Sequence, residues 1–389
     1  MNISLKTARI VSLAVSVLFA GIAGLEFHEH RHFLEPVVPS PHLSEVKKLS
    51  DYEPGLKDSV NDSNVYVFDS GVPGGTALVL GGTHPEEPAT NLTASLIAEN
   101  AKIEAGRLIV IIRANRSAST CTRMGEAYPT YYTVKTDWGE KKYRMGDRCS
   151  NPLDSWPDPE VYLHYPSRQM LAYMDIRNLN RTWPGRPDGL LTERTTWAMT
   201  QLIRQEKVDI AIDLHEAELE YPVENTIVAH EKGESIAAMT SMVLTAELFE
   251  VPLSMEFSPK ALHGLFHREV GDHTEAISLL VEVAEPMLDR IRGITDEYLL
   301  MTGRDEFVMK AGEHKLLYAP IDERGWPIDV RVGRHSSTVQ KLLEFYSMEN
   351  PDRAVVISGV PGYAEVMENT LGAYFHNPEE VPESGVFYE

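Results

Sequence analysis

Apolar and polar positions along this chain repeat in a recognisable order: a short apolar run, a glycine- or charge-rich break, then a longer stretch with helical spacing. Runs at 65–68 and 77–80 have the length of buried strands, and Gly81–Gly82 closes the second. The pattern then predicts a helix over 90–103, a strand over 108–113, a helix over 192–205 and a strand running into Asp213. Beyond it, 226–230 reads as a strand, 233–249 as a helix, 278–283 as a buried strand and 288–300 as a closing helix. Strands alternating with helices in this way predict an α/β fold, a mixed, largely parallel sheet flanked by helices. After residue 303 the pattern starts afresh. Short strands at 306–309, 316–318 and 355–358, with a helix over 336–347 capped by Ser336 or Ser337, suggest a small α+β extension.

Two strand ends carry polar residues of matching chemistry. The stretch ALVLGGTHPEEPAT, 77–90, turns from strand to helix with Pro85 expected in the first helical turn. His84 and Glu87, three apart, can then share a face, while Glu86 points elsewhere. The second stretch, VDIAIDLHEAE at 208–218, ends in Asp213, Leu214, His215 and Glu216. In a parallel sheet both sets emerge at strand carboxyl ends, where α/β proteins place ligands. Two imidazoles and one carboxylate with an open fourth position describe a catalytic zinc site. His84, Glu87 and His215 are therefore the candidate ligands of one zinc ion. A single strand-end histidine is more often a hydrogen-bonded core or surface residue; it is the pair of strand ends that points to metal.

The His-x-x-Glu after a strand, the Asn178–Leu179–Asn180–Arg181 run followed by Trp183–Pro184–Gly185, and Asp213–Leu214–His215 together resemble the zinc carboxypeptidase superfamily. More closely, their order and spacing over 63–302 resemble its succinylglutamate desuccinylase/aspartoacylase family. The resemblance implies an amide hydrolase. Glu282, in the VEVAE at the end of the 278–283 run, matches the family's catalytic glutamate, which takes a proton from water and returns it to the leaving nitrogen. Glu285, three residues on, is its competitor. Asn180 and Arg181 match the pair that grips a substrate carboxylate, a task suited to arginine's planar fork. The family's oxyanion-stabilising arginine is replaced here by Tyr173; of the flanking Arg168 and Arg177, Arg168 is the preferred substitute. His263, His267, Arg268 and His273 fall in a polar loop that such a fold places beside the pocket. The substrate implied is a small N-acyl amino acid. The alternatives are a zinc carboxypeptidase acting on peptides, such as cell-wall stem peptides, and a binding domain without turnover.

Charge and termini change the picture further. A formal net charge of −22 over 389 residues argues against nucleic acid or an anionic membrane surface as partner. Lys6 and Arg9 precede an uncharged apolar run, 10–25, shorter than the roughly 20 residues of a comfortable membrane span and suited to a signal sequence. Residues 1–27 are thus expected to be a signal peptide or a membrane tether, with the rest periplasmic or extracellular. Residues 28–62, with His28, His30 and His32, read as a linker, 63–302 as the catalytic domain and 303–389 as the extension, ending in a mobile tail. Cys121 and Cys149 lie in a long aromatic-rich insertion, 117–173, and an oxidising compartment would let them pair and staple a lid or substrate wall. Nothing in the sequence sets the oligomeric state.

Overall fold

The computed structural model describes residues 4–122 and 128–389; residues 123–127 of the insertion lie outside it. Eight strands, numbered in chain order, form the central sheet: β1 (Glu45–Lys48), β2 (Asn64–Asp69), β3 (Thr76–Leu80), β4 (Arg107–Ile111), β5 (Ile210–Ala217), β6 (Thr226–Ala229), β7 (Ser254–Phe257) and β8 (Ile277–Ala284). Their spatial order is β7-β6-β8-β5-β3-β4-β2-β1. The central run β8-β5-β3-β4 is parallel, as is β6 with β7, while β1, β2 and the β6–β8 junction are antiparallel. The sheet is mixed and largely parallel, as the alternation predicts.

The central strands read as continuous apolar runs because both faces are covered. Alternate residues divide between two cores. Ala77, Val79, Ile212 and Leu214 pack beneath the helices α2 (Pro88–Asn100), α4 (Glu234–Glu247) and α8 (Ile328–Glu349). Leu78, Leu80 and Ala211 face the opposite side, with α3 (Leu191–Gln205), α5 (Phe266–His273) and the buried Trp183. His215 shares this second side with Ala211, two and four residues from its strand neighbours Asp213 and Ala211 respectively.

Several expectations are corrected. Helix α2 starts at Pro88, not Pro85, with Glu87 as the residue before its first turn. The 288–300 stretch is helical only from α6 (Glu297–Thr302). Residues 306–309 belong to a helix, α7 (Glu306–Glu313), because the Asp305 side chain accepts from the backbone N–H groups of Phe307 and Val308 and caps it. Residues 316–318 form no strand, whereas Val356–Ser358 pairs with Lys102–Ala105.

The segment read as a linker is not a tether. Glu35 is buried against Arg113, β1 completes the sheet, and Leu49 and Leu56 enter the core. The tail is likewise docked. Phe387–Tyr388 pairs with Pro36–Val37, and the buried Glu389 carboxylate accepts from Asn64 Nδ2 and Tyr66 Oη, each at 2.8 Å. Residues 303–389 are no separate appendage either: Val339, Leu342, Leu343 and Tyr346 of α8 form a helical stripe in the main core. Cys121 and Cys149 are free thiols rather than a disulfide. Cys149 is instead held by a backbone bridge to Asn178 and by the Asp147 carboxylate on its N–H.

At the amino end, α1 (Leu5–His32) is a 28-residue helix with an 18-residue window of mean hydropathy 2.1, none of it buried. It is long and apolar enough to cross a membrane. Its last turn docks on the domain, with His30 Nε2 bonded to the Met145 carbonyl at 2.9 Å and Arg31 paired with Asp154.

Candidate active site

The chain leaves β3 through Gly81 and Gly82. Gly82 has φ +65°, and a side chain there would meet Asn91 Oδ1 at 2.4 Å, so the turn into α2 requires glycine. That turn presents His84 and, at the mouth of α2, Glu87. Beside it β5 carries Asp213 and His215 on one face, and β8 lays Glu282 in register with His215. Three elements far apart in sequence thus meet at the carboxyl ends of adjacent parallel strands.

His84, Glu87 and His215 converge with ligand atoms within 4.8 Å of one another, all three buried. His84 Nδ1 lies 2.6 Å from Glu87 Oε1, and His215 Nδ1 lies 3.0 Å from Glu87 Oε2. The outer nitrogens fix the tautomers. His84 Nε2 donates to Asn178 Oδ1 at 2.8 Å, an oxygen that also accepts the Asn180 N–H. His215 Nε2 donates to Asp213 Oδ2 at 2.9 Å, and Asp213 Oδ1 is held by Thr83. With both Nε2 atoms turned to acceptors, each Nδ1 faces a Glu87 oxygen, and only a proton or a metal cation between them matches that pair. Acceptors facing acceptors in a buried space require a positive charge between them. The donor set, with outer nitrogens anchored on oxygen acceptors, fits a zinc ion.

The electrostatics point the same way. Burial drives His84 down to about 3, so that it stays neutral. Burial would lower His215 too, but Asp213 and Glu87 outweigh it and favour positive charge there. Burial also pushes Glu282 up to about 8, against the opposing pull of His215. Glu282 Oε2 is sealed from solvent and has no hydrogen-bond partner among the described residues.

A cleft of about 530 Å³ opens over this cluster, lined among others by Glu282, His215, Asn180, Arg181, Arg148 and His267. Asn180 uses its Oδ1 on the Phe266 N–H at 2.8 Å. The Arg181 guanidinium donates to the Asn180 carbonyl at 2.7 Å, and no carboxylate pairs with it among the described residues. Arg168 is not brought to the site. It stands exposed with φ +65° at the turn between the short paired strands Tyr162–Leu163 and Met170–Leu171, outside the cleft lining. The cation at the cluster is Arg148, its Nη1 3.4 Å from Glu87 Oε1 and 3.8 Å from Glu86 Oε1. It belongs to the aperiodic insertion, and no sequence signal marks it. Glu285 lies outside the cleft, bound to Arg331 at 3.0 Å, which also holds Glu216 at 3.0 Å. Of the polar loop, His267 reaches the cleft, with Nδ1 2.8 Å from Ser258 Oγ. His263 and His273 instead bracket Glu269, and Arg268 pairs with Asp272 and Glu231.

No family model and no curated protein matches the chain. Among solved structures it is similar to a succinylglutamate desuccinylase from Silicibacter sp., at 19% identity over 57% of this chain and 52% of that one, with a TM-score of 0.34. It is also similar to a metallo-carboxypeptidase from Burkholderia cenocepacia, at 11% identity over 79% and 66% of the two chains and a TM-score of 0.45. A product-bound cell shape determinant protein from Helicobacter pylori matches at 12% identity over 72% and 55%, with a TM-score of 0.40. The chain spans about half the length of the first of these.

Proposed function

We propose that this chain is a zinc-dependent hydrolase that cuts an amide bond beside a carboxylate, removing an acyl group from an N-acyl amino acid. The observation that carries the reading is the convergence of two buried imidazole Nδ1 atoms on the Glu87 carboxylate, next to a Glu282 with no partner among the described residues. His84, Glu87 and His215 would hold the metal. When bound, zinc would supply a Lewis acid for the amide carbonyl and lower the pKa of water.

The remaining steps belong to this chain's own side chains. Arg181, free of any carboxylate partner, takes the substrate carboxylate bidentately and fixes the scissile amide over the cluster. Glu282 removes the proton from the attacking water and delivers it to the leaving nitrogen. Arg148 offers the positive charge toward which the carbonyl oxygen becomes anionic, the role the sequence assigned to Arg168. Closing the buried face beneath the cluster, Asp213 and Asn178 hold the two rings in orientation.

A carboxypeptidase acting on peptides is the second reading. Helix α1 favours it, since a membrane-tethered domain outside the cytoplasm meets peptides as its amides. Turnover of N-acyl amino acids and of peptides, measured after zinc loading and again after chelation, tests both. The expected result is metal-dependent release of a free amino acid from the acyl series. A chain that binds zinc and cuts neither series is a binding domain, and the reading falls.

A further inference from the structure

Charge pairing around the cleft leaves three groups unspent. Arg148 stands against Glu87 and Glu86, Arg331 takes Glu216, and Arg290 is paired with Glu220 at 2.6 Å. What remains facing the cleft, apart from the reacting Glu282, is one cation, Arg181, and two carboxylates, Glu218 and Glu256, neither of which has an ion-pair or hydrogen-bond partner for its side chain among the described residues. A substrate that answered only Arg181 would spend that cation and leave both of these carboxylates unpaired.

The sheet register places Glu256 relative to the reacting centre. Asp213 pairs with Leu280, Leu280 with Val228, and Val228 with Glu256, so these four residues form one row across β5, β8, β6 and β7. The row shares the face of His215 and Glu282, which lie one step of two residues further along their strands. Leu280 and Val228 line the cleft as an apolar floor, and Glu256 ends it at the open edge of the sheet. Two strand steps of ~4.8 Å and two residues of ~3.3 Å put the Glu256 backbone about 12 Å from that of Glu282. Glu256 is exposed and Glu282 half-buried, both line the cleft, and the gap between them is one that a four-carbon aminoalkyl stem spans.

We infer that the substrate carries, besides the carboxylate taken by Arg181, an aminoalkyl chain of lysine or ornithine length whose methylenes lie on Leu280 and Val228 and whose ammonium pairs with Glu256. This specificity rests on the amide-hydrolase reading for its reaction but not for its binding. Lysine and norleucine differ only in the terminal ammonium, which isolates that contact.

The experiment measures binding of the two amino acids to the zinc-loaded full chain by calorimetry, together with hydrolysis of their Nα-acyl derivatives. For the wild type, lysine is expected to bind about 3–5-fold tighter at low salt, the yield of a partly exposed ion pair, with the preference fading as salt rises. In Glu256→Gln the lysine-to-norleucine ratio should fall to about one, and in Glu256→Lys it should invert. Equal binding of both ligands by the wild type, binding of neither, or a ratio unmoved by Glu256→Gln overturns the inference. So does a ratio that collapses in Glu218→Gln but not in Glu256→Gln. A Glu256-dependent preference without hydrolysis of either amide leaves the inference standing and removes the hydrolase reading. Hydrolysis of both amides with no preference does the reverse.

Discussion

Two buried ionic clusters in this molecule differ in how their lone pairs and protons are matched. In the first, the Glu35 carboxylate receives the Arg113 fork through Nε and Nη2 and the Arg144 backbone N–H, so that every oxygen is met by donors. Burial would raise Glu35, but Arg113 and Arg144 outweigh it and hold it below the ordinary carboxylate range. In the second, His84, Glu87 and His215 turn acceptors toward one another, and the neighbouring Glu282 has an oxygen with no donor. The first carboxylate is fully matched and joins the amino-terminal segment to the sheet. The second leaves room for a cation between its acceptors, the proposed zinc. Buried charge alone therefore does not mark a site; mismatched protons and lone pairs at the wall of a cleft do.

The largest expected effect separates two glutamates near one strand end, each with a buried oxygen lacking a partner among the described residues, of which only Glu282 lines the cleft. Glu282→Gln should keep zinc and lose about 10²–10⁴-fold in turnover, since the amide cannot accept a proton. Glu285→Gln, at a carboxylate paired with Arg331 outside the cleft, should lose little turnover. Metal content measured beside rate decides. Turnover abolished in the second variant and spared in the first would reverse the assignment, and zinc lost from the first would make Glu282 a ligand.

For the matched cluster, Glu35→Ala should cost about 3–5 kcal/mol in denaturant unfolding, because it strands the buried Arg113. Zinc bound per folded molecule should not change. Loss of metal without loss of stability would mean that the two clusters are not independent.

A third carboxylate sharpens the comparison through pH. Burial would raise Glu206, but hydrogen bonds from Lys47, Tyr52 and Arg107 outweigh it and pull it from 4.5 to about 2. A depressed folded-state value stabilises the fold above the unfolded value and stops doing so as pH falls through the folded one. Glu206→Gln should therefore destabilise the protein by up to about 3 kcal/mol above pH ~5, and the gap should close between pH ~4.5 and ~2. A gap that stays constant over that range would show the three hydrogen bonds to be indifferent to charge.

The smallest effect is expected at Arg181. Arg181→Lys keeps the charge and loses the fork, so KM should rise about 10-fold with a smaller change in kcat. The wild type should also favour an acid substrate over its amide. Equal rates for the two would take the substrate carboxylate out of the scheme.

Local chemistry was legible in the sequence. Apolar runs of strand length at 65–68 and 77–80, the glycine break after β3 and the three-residue spacing of His84 and Glu87 depend on residues near one another in the chain. So does the polar end of the run that carries His215. Each follows from backbone periodicity and turn chemistry, which act over a few residues. Longer-range choices were not legible. Arg148 comes from an insertion without periodicity and meets Glu87 only through the fold. The supposed linker is held because Glu35 finds Arg113, and the supposed mobile tail because Glu389 finds Asn64 and Tyr66. A charged or polar residue reads as solvated in sequence whatever its eventual partner. Only packing decides which of these groups lose water, and once buried each must take the partner that the sheet register and helix contacts bring within reach.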